Sequence, residues 1–223
     1  CDVVWNHTAT NTPWLQQQPD ASYNLQNSPH MRPAYCLDRA LQSLHRKLAR
    51  RAEIISTKED VEKIIKEIER NLLPSLKLWE FFVIDVPKQI LKFREFLNSD
   101  EAKNLENPEH RHHPYASSIT GECIVKGDGK RGSKMVRPSC LAQIFQNSKD
   151  SIAAQCLSLR RALDRYNLPL YEQWDKDQEM ILTSLRNHLH YERVDPNGPR
   201  FSFVDSETPL FPKYFTTLKK EPY

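Results

Sequence analysis

Leu37, Leu41, Leu44 and Leu48 recur at i, i+4, i+7 and i+11, the apolar stripe of an amphipathic helix. Val61, Ile64, Ile65, Ile68 and Leu72 line a second helical face. Ser56-Thr57-Lys58-Glu59 precedes it as a capping-box pattern, in which the serine oxygen accepts the amide three residues on and the glutamate reaches back. Glu59/Lys63 and Glu62/Lys66 add i,i+4 pairs on its wet side, and Pro74 predicts its end. A helix over about 87–98 follows, with Pro87 in its first turn. Ile152, Cys156, Leu159, Leu163 and Tyr166 share one later face, and Trp174, Ile181, Leu185 and Leu189 another. Pro169 between them predicts two separate helices.

Other segments lack that period. Leu78-Trp79-Glu80-Phe81-Phe82-Val83-Ile84 is the most apolar run, and periodicity leaves strand and buried helix edge both open. The adjacent valines of residues 2–5 read as a short buried strand. Residues 8–35 read as a long polar loop, 99–137 as irregular, and 194–223 as a proline-rich segment with short extended pieces around Phe201, Phe203, Tyr214 and Phe215. The fold class expected is therefore mostly α, with short strands only near the two ends. The pattern is that of an insertion: the chain leaves a sheet over 1–35, builds a helical subdomain over 36–193, and returns over 194–223. A strand so close to an end that opens with Cys1 predicts that the polypeptide belongs to something larger.

Composition narrows the classes. Apolar residues make up 39%, which allows a core but not a rich one. Five glycines against 15 prolines favour helices joined by stiff turns over low complexity. With 32 basic and 29 acidic residues the net charge is only +3, so nucleic acid is not an expected partner. No apolar run is long enough to span a membrane. Cys1, Cys36, Cys123, Cys140 and Cys156 are odd in number and widely spaced, which suits reduced thiols and a cytoplasmic location. There the glycosylation triplet Asn6-His7-Thr8 is inert.

Several groups could carry chemistry. Asn6 and His7 follow an apolar strand directly; such a pair either caps the strand end or hydrogen-bonds a polyhydroxyl substrate at a barrel rim. Gly127-Asp128-Gly129-Lys130-Arg131-Gly132 fits a dinucleotide fingerprint, but Pro138 interrupts any helix that would receive the pyrophosphate. A solvated basic loop is the plainer reading, with Lys126, Lys130, Arg131, Lys134 and Arg137 able to attract an anion. His110, His112 and His113 lack the partners of a zinc site and read as an exposed loop. Asp2, Asp38, Asp85 and Asp164 carry no pattern that marks a catalytic carboxylate pair; most acids are expected to be solvated on helical faces.

Asp2-Val3-Val4-Trp5-Asn6-His7 resembles the first conserved region of the α-amylase family, at the end of the third barrel strand. Residues 2–14, 23–33, 37–41, 73–86, 191–193 and 214–216 resemble, in order, the eukaryotic glycogen debranching enzymes of that family. The resemblance implies a helical insertion in an amylase-like (β/α)8 barrel. It implies a retaining 4-α-glucanotransferase acting on glycogen and α-1,4-glucan oligosaccharides, with an amylo-α-1,6-glucosidase domain further along the full protein. His7 matches a histidine that hydrogen-bonds the sugar beside the cleaved bond. Asn6 matches an asparagine that braces the loop or binds calcium in many amylases; debranching enzymes need not keep that calcium, and no metal or cofactor is expected. The family's catalytic acids lie on later strands whose motifs these residues lack, so the chain alone is expected to be inactive. The competing expectation is a non-catalytic helical module that buries its stripes against a partner or a neighbouring domain.

Overall fold

A computed structural model describes residues 13–100, 123–125, 127–137, 140–141, 150–201 and 209–215. These are mostly helical: α1 (Pro13–Gln17), α2 (Arg32–Arg50), α3 (Lys58–Glu67), α4 (Leu73–Leu76), α5 (Val86–Leu97) and α6 (Ile152–Arg193). Strands β1 (Ile124–Val125) and β2 (Met135–Val136) pair antiparallel, Ile124 opposite Val136. By its contacts the chain divides into two units, one of Cys1–Lys77 with Gln178–Tyr223 and one of Leu78–Asp177.

In the first unit the leucine stripe of α2 is buried as its spacing requires: Leu41, Leu44 and Leu48 pack with Val61, Ile64, Ile65 and Ile68, with Leu182 and Leu189 of α6, and with Leu210 and Phe211. Each such side chain contributes about 1.5–3 kcal/mol when fully buried. The cap of α3 sits one residue later than the serine box expected. Thr57 is the N-cap and Asp60 closes the box; the Asp60 carboxylate gathers the Ser56 and Thr57 amides and the Thr57 hydroxyl. Serine and threonine cap alike, so this three-donor acceptor decides the register. The ion pairs shift with it. Lys63 pairs with Asp60 at 3.3 Å, while Glu62 takes a forked Arg186 at 2.6 and 3.4 Å.

Pro74 does not end the helical path. A π-type turn over Ile68–Leu72 intervenes, with the Leu73 amide bonded to the Ile68 carbonyl. This wider turn makes room for the proline ring, whose clash with the preceding turn would stop a regular helix. The path ends three residues later at Lys77, in the left-handed region with φ 46°.

The second unit settles the open run at 78–84. Leu78–Phe81 is a short 3-10 turn, and Ile84 makes an isolated parallel bridge to Lys134. The Asp85 carboxylate then caps α5, accepting the Lys88 amide at 3.0 Å. The core here is Ile84, Val86, Ile90, Phe93, Val136, Leu141, Cys156, Leu159 and Leu163. The described strands thus lie mid-chain rather than only near the ends: Ile124, Val125 and Val136 are apolar and β-branched, but two-residue strands are too short to show a period. The strand expected at 2–5 lies outside the described residues.

Pro169 does not divide α6, which runs unbroken from Ile152 to Arg193. An interior proline costs about 3 kcal/mol. Before it Leu159 and Leu163 are buried, and after it Leu182 and Leu189, so packing on both sides outweighs the local preference. Pro169→Ala is expected to stabilise the chain by roughly 1–3 kcal/mol, read as a higher urea midpoint at unchanged slope. A midpoint that fell would show that the proline is needed where it stands.

Candidate functional site

Asn6 and His7 lie outside the described residues, as do His110, His112 and His113 and the acid Asp2. Among the described residues no three His, Cys, Asp or Glu side chains converge as a metal site, no disulfide forms, and no helix is long and apolar enough to cross a membrane. Two constellations stand out, one in each unit.

The first is a grip on the backbone of 209–215. Asp38, Gln42 and His45 follow one another on α2 at i, i+4 and i+7, one helix face. The Asp38 carboxylate accepts the Tyr214 amide at 3.1 Å and the Phe215 amide at 3.4 Å. Gln42 Nε2 donates to the Phe211 and Pro212 carbonyls at 3.2 and 3.3 Å. His45 Nδ1 accepts the Leu210 amide at 3.4 Å, and His188 Nε2 lies 3.2 Å from the Leu210 carbonyl. Tyr35 meets Phe215 edge-on, centroids 5.5 Å apart. Asp38 is 4% exposed, so the expectation of a solvated acid fails here. Its carboxylate is turned inward to satisfy main-chain donors that would otherwise be stranded.

The second is a cleft of about 480 Å³ lined by Trp79, Glu80, Asp85, Arg131, Arg160, Asp164 and Tyr171, with Val83 and Ile84 in its wall. One stripe of α6 borders it: Arg160, Asp164 and Tyr171 line the cleft, and with Asn167 and Trp174 they recur at i, i+4, i+7, i+11 and i+14. Asn167, 1% exposed, anchors that stripe. Its Oδ1 accepts the Ile84 amide at 2.9 Å and its Nδ2 donates to the Ile84 carbonyl at 2.8 Å, as a strand neighbour would. Trp174 packs on Trp79 with centroids 5.9 Å apart.

The glycine-rich loop docks beside this cleft. Arg131 pairs with Glu80 at 3.2 Å and lies 4.4 Å over the Phe81 ring. The Gly132 amide donates to the Glu80 carbonyl at 3.0 Å. Gly132 is needed there: its φ is +59°, and an added Cβ would stand 3.2 Å from Asp85 Cβ. Lys134 donates to the Phe82 carbonyl at 2.7 Å, and burial pushes its pKa down. The loop leads into β2, not a helix, so it offers no helix N-terminus to a pyrophosphate. It is also less solvated than expected, since Arg131 and Lys134 are both held against 80–82. Asp85 serves as a helix cap, while Asp164 is exposed as expected.

Positions 42, 45 and 167 carried no motif, and Asp38 stood in a stretch of resemblance that gave it no role. The signal available was their helical spacing beside or within an apolar stripe, which marks a polar group that must be satisfied inside.

All 223 residues, 1–223, match the family described as glycogen debranching enzyme, glucanotransferase domain, and the chain belongs to that family. The glycogen debranching enzyme of Saccharomyces cerevisiae is 30% identical over 233 aligned positions, which take in 98% of this chain and 15% of that protein. The chain thus spans 15% of the length of this relative.

Asp38→Ala is expected to remove protection from hydrogen exchange at the Tyr214 and Phe215 amides and to cost about 1–3 kcal/mol. Unchanged protection at both amides would show that the carboxylate does not hold the segment. Burial first, then the charges of Arg193 and Arg46, hold His45 below its ordinary pKa. The fold therefore favours neutral His45, whose Nδ1 is the acceptor, while the unfolded chain takes up a proton below about pH 6.5. This stability is present above that pH and lost as pH falls. Thermal unfolding should drop more steeply from about pH 7 to pH 5 in the wild type than in His45→Gln, and parallel curves would remove His45 from the effect.

Proposed function

We propose that this chain is part of the glucanotransferase of a glycogen debranching enzyme, which moves maltooligosaccharide segments between α-1,4-glucan chains with retention of configuration. In such a reaction a carboxylate attacks the anomeric carbon, an acid protonates the leaving oxygen, and a sugar hydroxyl takes the place of water as acceptor. The observation that carries this reading is the family match along all 223 residues. The grip adds to it. Asp38 and Tyr214-Phe215 belong to separate stretches that resemble debranching enzymes, 176 and 177 positions apart, and they are hydrogen-bonded here.

In this reading residues 1–35 supply the end of the third barrel strand and its loop, 36–193 the helical insertion, and 194–223 the return. His7 hydrogen-bonds the sugar beside the cleaved bond and Asn6 braces the strand end. The catalytic acids come from elsewhere in the barrel, and the partners are glycogen, linear α-1,4-glucans, the rest of the barrel and the glucosidase domain. No metal or cofactor takes part, and the setting is cytoplasmic.

In the longer enzyme His7→Ala should lower transfer of maltooligosaccharide units on the order of 10²-fold, as loss of one group that stabilises a transition state does, while circular dichroism stays unchanged. The 223-residue chain alone should transfer nothing. Turnover like the wild type's in the variant, or transfer by the chain alone, would overturn these assignments.

A further inference from the structure

The cleft in the Leu78–Asp177 unit has a lining that suits a neutral polar ligand better than an anion or an apolar partner. Three features decide this. First, aromatic rings and ionic groups both line it: Trp79 and Tyr171 stand with Glu80, Asp85, Asp164, Arg131 and Arg160. Both charge signs are present, so neither a phosphate nor a cation is favoured over the other. Second, Arg160, Asp164 and Tyr171 project from one stripe of α6 and make no hydrogen bond or ion pair with any described residue. A ligand in the cleft can meet their donors and acceptors. Third, the stripe is fixed rather than loose, because the buried Asn167 carboxamide clamps both polar groups of Ile84 between Asp164 and Tyr171. About 480 Å³ of space falls inside the roughly 300–1,000 Å³ of small-molecule sites.

A neutral polyhydroxyl ligand meets all three conditions. Its hydroxyls donate to the Asp164 carboxylate and accept from the Arg160 guanidinium, as charge-assisted hydrogen bonds. The C–H faces of its rings lie on the flat apolar surfaces of Trp79 and Tyr171, which bury large areas at little entropic cost. We propose that this cleft binds a short stretch of α-1,4-glucan, as a site separate from the group-transfer chemistry. The choice of glucan among oligosaccharides rests on the proposed function; the choice of an oligosaccharide rests on the cleft.

The test is titration of the 223-residue chain with maltoheptaose, followed by tryptophan fluorescence and calorimetry. Saturable binding is expected, with a fluorescence change from Trp79. Tyr171→Ala and Asp164→Ala, both at exposed positions, should each weaken it about tenfold, the usual loss for an anchor of this kind. Lys66→Ala, on α3, should leave it unchanged. Cellohexaose in place of maltoheptaose should bind more weakly; equal binding would overturn the choice of α-glucan alone. No binding of maltoheptaose by the wild type would overturn the proposal. So would binding unaffected by both cleft variants, and so would saturable binding of inorganic phosphate in place of the sugar. Transfer by the longer enzyme is a separate measurement. Its absence would count against the proposed function and leave the result at the cleft standing.

Discussion

Residues 209–215 carry prolines at 209 and 212, so this segment lacks the run of amides that a strand ladder requires. Its remaining polar backbone groups lie beside a hydrophobic core that includes Leu210 and Phe211, where an unmet hydrogen bond costs about 1–3 kcal/mol. One face of α2 resolves the conflict. Asp38 offers two acceptors, Gln42 one shared donor, and His45 one acceptor, to groups spread over six residues. Anchoring of this kind lets Leu210 and Phe211 reach the core at all. Without it, desolvation of the surrounding backbone would offset much of what those two side chains gain.

The second unit meets the same constraint in the same way. Residues 78–85 make a 3-10 turn and one isolated bridge, so Ile84 has a buried side chain and a main chain with few partners. Asn167 supplies both a donor and an acceptor from α6. A carboxamide suits this task because it carries both roles in one planar group. Aspartate there would present only acceptors to a carbonyl and an amide, and leucine would satisfy neither. In both units, then, a polar stripe on a helix replaces the missing sheet partner. Both stripes follow the 3.6-residue period as closely as the leucines do.

This explains what could be seen in the sequence. Leu41, Leu44, Leu48, Val61, Ile64, Ile65 and Ile68 were legible because burial alone sets their spacing. Asp85 and Thr57 were harder, since several neighbours can cap a helix and the choice depends on which carboxylate collects more donors. Pro169 and Pro74 misled for a related reason. Local preference counts about 3 kcal/mol against the first, which buried leucines on both sides outweigh, and the second falls in the first turn of α4 after a π-type turn, where proline is tolerated. The roles of Asp38 and Asn167 could not be read, because their partners are backbone groups more than 80 positions away and any residue type could supply them. Of the candidate site, Asn6 and His7 were singled out by their place after an apolar run and by resemblance, and they lie outside the described residues.

The same reasoning separates structural polar groups from available ones. Asp38, His45 and Asn167 are buried and hydrogen-bonded to backbone, so they hold shape. Arg160, Asp164 and Tyr171 share a stripe with Asn167 but stand more exposed, Tyr171 at 43%, and reach no partner among the described residues. Solvent hydration would satisfy them anywhere on a surface. What distinguishes them is confinement to a cleft whose opposite wall is fixed by the contact that buries Asn167. A stripe with a satisfied centre and unsatisfied flanks is preorganised: the anchor has already met the ordering cost of the helix face, and a ligand in the cleft orders little more than itself.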